Sequence, residues 1–198
     1  AIQTMGLILA NLGDDLKSES TKTLNLLVDR LKNEITRLTA VKTFAVLAEN
    51  KVDLKSVLTN TVTELANFLR KYNRPLRQAT LTTLAIFARS YSAEIDAKLY
   101  QLIITESAAL VGDQDLHLAH LALQLNIQII SSNPKAASDV QKNVLPKLLG
   151  LLESSTLQGN ALDSALKLLS ILIPTAGFST LFNQVLGVKK ESKQVYTN

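Results

Sequence analysis

Slid against itself in steps of about 40 residues, the chain keeps two apolar columns in register. Leu31 falls in turn on Leu69, Val111 and Leu152, while Ala48 falls back on Ala10 and forward on Ala88, Ile130 and Ile171. The unit that recurs is clearest over residues 24–48, LNLLVDRLKNEITRLTAVKTFAVLA. In it Leu24, Leu27, Val28 and Leu31 follow helical spacing, Lys32 and Asn33 interrupt it, and Leu38, Val41, Phe44, Ala45 and Ala48 resume it. That pattern is a helix hairpin. Each helix carries an apolar stripe too wide for one partner, so the hairpin needs a copy of itself to cover what remains.

A two-helix unit with this period is the signature of HEAT-type repeats. The 198 residues hold about four and a half of them. The expected fold is therefore all-α, an α-solenoid of HEAT-type two-helix repeats forming a right-handed superhelical array. We expect one array over residues 1–198, in which residues 1–12 supply only a second helix. Full hairpins are expected over residues 18–50, 53–91, 92–132 and 136–174, and a partial repeat over 176–198. Neither end offers a polar capping repeat, so the expectation is an internal stretch of a longer solenoid.

Composition agrees with helix packing. Hydrophobic residues make up 46% of the chain but aromatic ones only 5%, with no Trp, which leaves Leu and Ala to fill helix interfaces and little to build sheets. Cys is absent, which removes a disulfide framework and a thiolate zinc site and fits a reducing compartment. No apolar run reaches the roughly 18 residues of a membrane span.

Local signals place the turns. Gly13, Asp14 and Asp15 suit a turn after the first helix. Asn33 is the expected N-cap of the helix that follows it, and Asp53 that of a helix over residues 54–72. Pro75 fits a first turn, where its missing N–H costs nothing, and its helix should run to about Tyr91. A helix over residues 92–111 should end at Gly112, with GDQD at 112–115 turning the chain and capping a helix over 116–131. Asn133-Pro134 breaks the chain, and Ser138 with Gln141 reads as a capping box. Pro146 is expected to kink a helix through residues 144–153, and Pro174 to end the helix over 161–173. A last first-helix is expected over 178–188.

Little here points to chemistry. His117 and His120 stand near Asp113 and Asp115, but the HxxH spacing lacks a third strong ligand and both Asp residues suit turn and cap roles. No G-x-S-x-G elbow, P-loop, HExxH or glycine-rich dinucleotide turn occurs, and the 7 Gly sit mostly at helix ends. An enzyme is not expected, nor a cofactor, metal or small-molecule substrate. The net charge is +4, and Arg70, Lys71, Arg74 and Arg77 share one stretch free of acidic residues. This stretch reads either as a contact patch or as a solvated turn whose cations complement the preceding helix end. Nucleic acid would ask for a larger, one-signed surface with interleaved aromatics.

Four strings carry a family resemblance: LKNEITRLT at 31–39, NLGDDL at 11–16, LANFLRK at 65–71 and TLQGNAL at 156–162. With them the whole chain resembles the middle of the cullin-associated, Nedd-dissociated family of HEAT-repeat proteins. LKNEITRLT is the specific element; the leucine columns would suit many HEAT proteins.

The resemblance implies a non-enzymatic protein-binding scaffold, cytoplasmic and nuclear. Its partner would be a cullin-RING ligase scaffold, cullin plus RING subunit, that lacks its ubiquitin-like modifier. The solenoid would sequester that scaffold and promote exchange of substrate receptors, with this stretch as the arc between the main contact ends. A generic HEAT scaffold or a transport-receptor-like module is the alternative, sharing the repeats but not LKNEITRLT. In HEAT arrays of this kind second helices line the concave side, so the expected contacts are Arg37, Lys42, Arg74, Arg77 and Gln78, with Arg37 placed away from Val41 and Phe44.

Overall fold

The computed structural model describes residues 1–12 and 17–176. The turn expected at Gly13, Asp14 and Asp15, the helix expected over 178–188 and most of the partial repeat over 176–198 lie outside the described residues. What is described is all helical, in ten α-helices joined by turns and one short 3₁₀ segment. It divides into two compact units, Ala1–Glu106 and Ser107 onward.

The first unit holds α1 (Ile2–Leu12), α2 (Lys17–Lys32), α3 (Arg37–Glu49), α4 (Leu58–Phe68), α5 (Arg74–Ser90) and nearly all of α6 (Ala97–Ala108). α2 pairs with α3 and α4 with α5, while α3 also packs along both α1 and α5, and α2 along α4. Two layers result, one of first helices and one of second helices, as a stacked HEAT-like array requires. Gly6 permits the approach of α1 to α3, since a Cβ there would stand 2.3 Å from Thr43 Cγ2. The core consists of Leu27, Leu31, Val41, Phe44, Leu47, Leu65, Leu84 and Phe87, all without solvent exposure. Each such Leu or Phe contributes roughly 1.5–3 kcal/mol by leaving water.

In the second unit α7 (Leu116–Ser132) packs on α10 (Gly159–Ala176), with α8 (Ala137–Asn143) and α9 (Leu145–Leu152) between them in sequence. Leu123, Ile129, Leu148, Leu168 and Leu172 are fully buried there. The two repeat columns land inside the units: Leu31, Leu69, Val111, Ala48, Ala88 and Ile130 are buried, and Ala10, Leu152 and Ile171 are half-buried.

Several boundaries differ from those the sequence suggests, each for a local reason. Asn33 does not cap α3. Its side-chain oxygen accepts from Ile35 N at 3.0 Å and closes a tight turn, and α3 starts only at Arg37, after Thr36. Asp53 likewise accepts from Lys55 N at 3.0 Å, so α4 begins at Leu58 rather than at 54. At its far end α4 stops at Phe68 and the next three amides bond back three residues, to Ala66, Asn67 and Phe68, tightening the chain before Tyr72.

The helix expected over 92–111 is α6, Ala97–Ala108, with Asp96 at its start accepting from Leu99 N at 2.8 Å. The expected cap at Asp115 forms, to His117 N and Leu118 N at 3.1 Å each. Ser138 caps nothing, because the 3₁₀ turn Pro134–Ala136 runs directly into α8 and Ala137 N is already bonded to Pro134 O. Pro146 falls in the first turn of α9, so the segment becomes two helices and not one kinked helix. Pro174 does not end α10, which runs on to Ala176.

Candidate protein-interaction surface

Basic side chains and exposed apolar ones gather where α2 turns into α3 and α4 into α5. The second turn is built by Asn73, which accepts from Leu76 N at 3.0 Å and starts α5, with Pro75 in the first turn. From that turn Arg77 reaches back, its Nε donating to Leu69 O at 3.0 Å and its guanidinium lying 5.2 Å from the Tyr72 ring centre. One repeat earlier Arg37 does the same. Its Nε donates to Leu31 O at 2.9 Å, its Nη2 to Lys32 O at 3.0 Å, and its guanidinium lies 5.0 Å over Phe68.

Both arginines thus tie the start of a second helix to the open carbonyls that end a first helix. The carbonyl each one reaches belongs to the first apolar column, Leu31 and Leu69. Arg37 is half-buried, on the side of the hairpin that packs, and not on a face away from Val41 as expected; one helical turn separates the two residues, so they share a face. Arg74 is exposed at the first position of α5, Lys42 is exposed on α3 and Gln78 is half-buried on α5. All five expected contact residues therefore belong to the first unit, with Arg37 and Arg77 already committed to internal bonds.

Arg70 is held differently. It forms a two-pronged ion pair with Glu106 of α6, Nε to Oε2 at 2.6 Å and Nη2 to Oε1. The Glu106 side chain is 9% exposed and that of Arg70 64%. Hydrogen bonding to Glu106, and then its charge, raise the Arg70 guanidinium above its ordinary value. Lys71 beside it is exposed.

Sequence reasoning missed the apolar half of this surface. Ile35 is 92% exposed and Tyr72 101%, each in the turn that opens a second helix. A cleft of about 200 Å³ lies between those turns, lined by Glu34, Arg37, Leu38, Lys71, Tyr72, Asn73 and Leu76. Ile35 fits neither helical column, which was the one signal available. The cleft and its rim bring cations, one carboxylate (Glu34) and exposed apolar surface together.

Three members of the His117, His120, Asp113 and Asp115 group have hydrogen-bond partners in the fold. His120 Nδ1 lies 2.7 Å from Ser164 Oγ and 3.0 Å from Asn160 O, joining α7 to α10. Asp115 caps α7 and Asp113 accepts from Ser154 Oγ at 3.2 Å.

No protein-family model matches the chain. Among curated proteins, it is 40% identical over 98% of its length to cullin-associated NEDD8-dissociated protein 1 of Arabidopsis thaliana. The protein of the same name from Drosophila melanogaster is 36% identical over 88% of the chain, and cullin-associated NEDD8-dissociated protein 2 of Mus musculus 37% over 88%. The chain spans 14–16% of the length of these relatives. With 36–40% identity over 88–98% of its length, on an all-helical repeat fold, the chain belongs to the family of cullin-associated NEDD8-dissociated proteins.

Proposed function

We propose that this segment serves a cullin-binding scaffold, and that it works by presenting surface and not by catalysis. The observation that carries the reading is the 40% identity over 98% of the chain to a protein named for its association with cullins. In the finer form of the proposal, the partner is an unmodified cullin with its RING subunit, and the scaffold holds that complex while substrate receptors exchange. The physical character of the segment supports such a role. Its polar side chains cap helices and tie repeats together, and packing between neighbouring repeats lets a long array adapt to a large partner by many small changes of angle.

The test is calorimetry with an unmodified cullin-RING complex, using this chain beside the full-length Arabidopsis thaliana relative, at two salt concentrations. Binding by the chain that weakens with salt would make the segment a contact surface. Tight binding by the relative with none by the chain would make it a spacer. Charge reversals belong at Lys42 and Lys71, which are exposed, because reversing Arg37 or Arg77 would also break the clasps at Leu31 O and Leu69 O.

A further inference from the structure

We infer that the edge formed by the turns before α3 and α5 is a docking site for an acidic protein segment that carries an apolar anchor. The inference rests on the reading of the chain as a protein-binding segment, and not on which protein is bound. Single exposed apolar residues are ordinary on protein surfaces. Here two large ones, Ile35 and Tyr72, stand almost wholly in water on turns that border one cleft. Asn33 holds the first turn by accepting from Ile35 N, and Asn73 N donates across Tyr72 to Lys71 O at 2.8 Å, so the backbone is hydrogen-bonded at both residues. The Tyr72 ring is further steadied by the Arg77 guanidinium 5.2 Å away. A pre-ordered aromatic loses little freedom on binding, which is what makes Tyr an effective interface anchor.

Charge selects the partner. Arg37 and Lys71 line the cleft against a single carboxylate, Glu34, and Arg77 adds a third cation beside Tyr72. Arg37 and Arg77 spend donors on backbone carbonyls, which satisfies hydrogen bonds without neutralising charge. A segment with carboxylates flanking one apolar side chain would place the latter against Ile35 and Tyr72 and the former near Lys71 and Arg77. Nucleic acid fits less well, because Ile35 offers nothing to a phosphate and Glu34 would repel one.

The test titrates the intact chain with short Asp/Glu-rich peptides holding a central leucine, with the same peptides lacking leucine, with basic counterparts and with a single-stranded oligonucleotide. Amide NMR shifts report where each binds. The expected result is salt-sensitive binding of the acidic leucine peptide, with shifts centred on Ile35, Lys71 and Tyr72. Affinity should fall roughly tenfold or more on removing the leucine, in Ile35→Ser/Tyr72→Ser and in Lys71→Glu. The serine variant should keep the native melting temperature, and Leu166→Ser, an exposed leucine of the second unit, should bind as the native chain does. No peptide binding at millimolar concentration, shifts centred elsewhere, or tighter binding of the oligonucleotide at this edge would overturn the inference. Peptide binding without binding of a cullin-RING complex would uphold this site and remove cullin as its occupant. Cullin-RING binding unchanged in Ile35→Ser/Tyr72→Ser, with no peptide bound, would do the reverse.

Discussion

Arg37 and Arg77 hold the same place in successive repeats, and each satisfies a carbonyl that its preceding helix leaves open. A hydrogen bond from a charged donor is worth more than a neutral one, but these side chains are half in water, so about 1 kcal/mol each is a fair expectation. Arg37→Ala and Arg77→Ala should each lower the urea midpoint accordingly, at unchanged slope. Lysine should not rescue either, since an ammonium cannot donate to the carbonyl and lie flat over Phe68 or Tyr72 as a guanidinium does. A lysine variant as stable as the native chain would mean that charge alone matters. Neither role was readable from the sequence, because the acceptors belong to another helix and become neighbours only when the hairpin closes. Tyr91 offers a second residue-scale test. Its hydroxyl donates to Val52 O at 2.7 Å, and burial, followed by the charges of Asp53 and Glu94, raises its ionisation above that of a free tyrosine. Folding therefore retains a proton that the unfolded chain gives up. Stability from this group is complete below pH about 10 and declines as pH rises beyond it, by up to about 1.4 kcal/mol per pH unit. Tyr91→Phe should be less stable at neutral pH by about 1 kcal/mol, yet lose stability less steeply above pH 10. Parallel alkaline profiles for the two proteins would show that Tyr91 ionises equally well in the folded state.

The pairing of helices was readable because most of the residues that set the 40-residue period are buried. Leu31, Ala48, Ala88 and Val111 need no knowledge of their partners to be recognised, only of their spacing. Prolines divided: Pro75 sits in a first turn as expected, but Pro146 does so too where a kinked interior was expected, because what distinguishes a first turn from a helix interior is where the previous helix stops. At the helix interfaces, Phe44 is fully buried where α3 meets its neighbours, and Phe44→Ala should cost about 3–5 kcal/mol. An unchanged melting temperature would remove Phe44 from that core. The approach of α1 to α3 can be tested in both directions. Gly6→Ala brings a methyl against Thr43 Cγ2 and should destabilise by about 1–3 kcal/mol. Thr43→Ser removes the obstructing methyl but keeps the hydroxyl that donates to Thr39 O, so the double variant should recover part of the loss. Strict additivity of the two changes would show that the contact does not limit the packing.

In an array of hairpins no centre holds the whole chain, and stability is a sum of local layers and the interfaces between neighbours. The described residues express this as two compact units, one with Phe44, Leu65 and Phe87 in its interior and one with Leu123, Leu148 and Leu168. That division is hard to read from the sequence, since both repeat columns carry on across Glu106 and Ser107 with steps still close to 40 residues. Hydrogen exchange can read the division directly, because each amide reports the opening that exposes it. Phe44→Ala should lower the opening free energy of amides in α1, α3 and α5 by about 3–5 kcal/mol while leaving α7 and α10 close to native. Leu168→Ala should do the opposite, with a loss of about 2–5 kcal/mol confined to α7 and α10. If either substitution lowered protection equally in both units, the chain would unfold as one cooperative body, and local adjustment of neighbouring repeats could no longer be the way this segment fits itself to a partner.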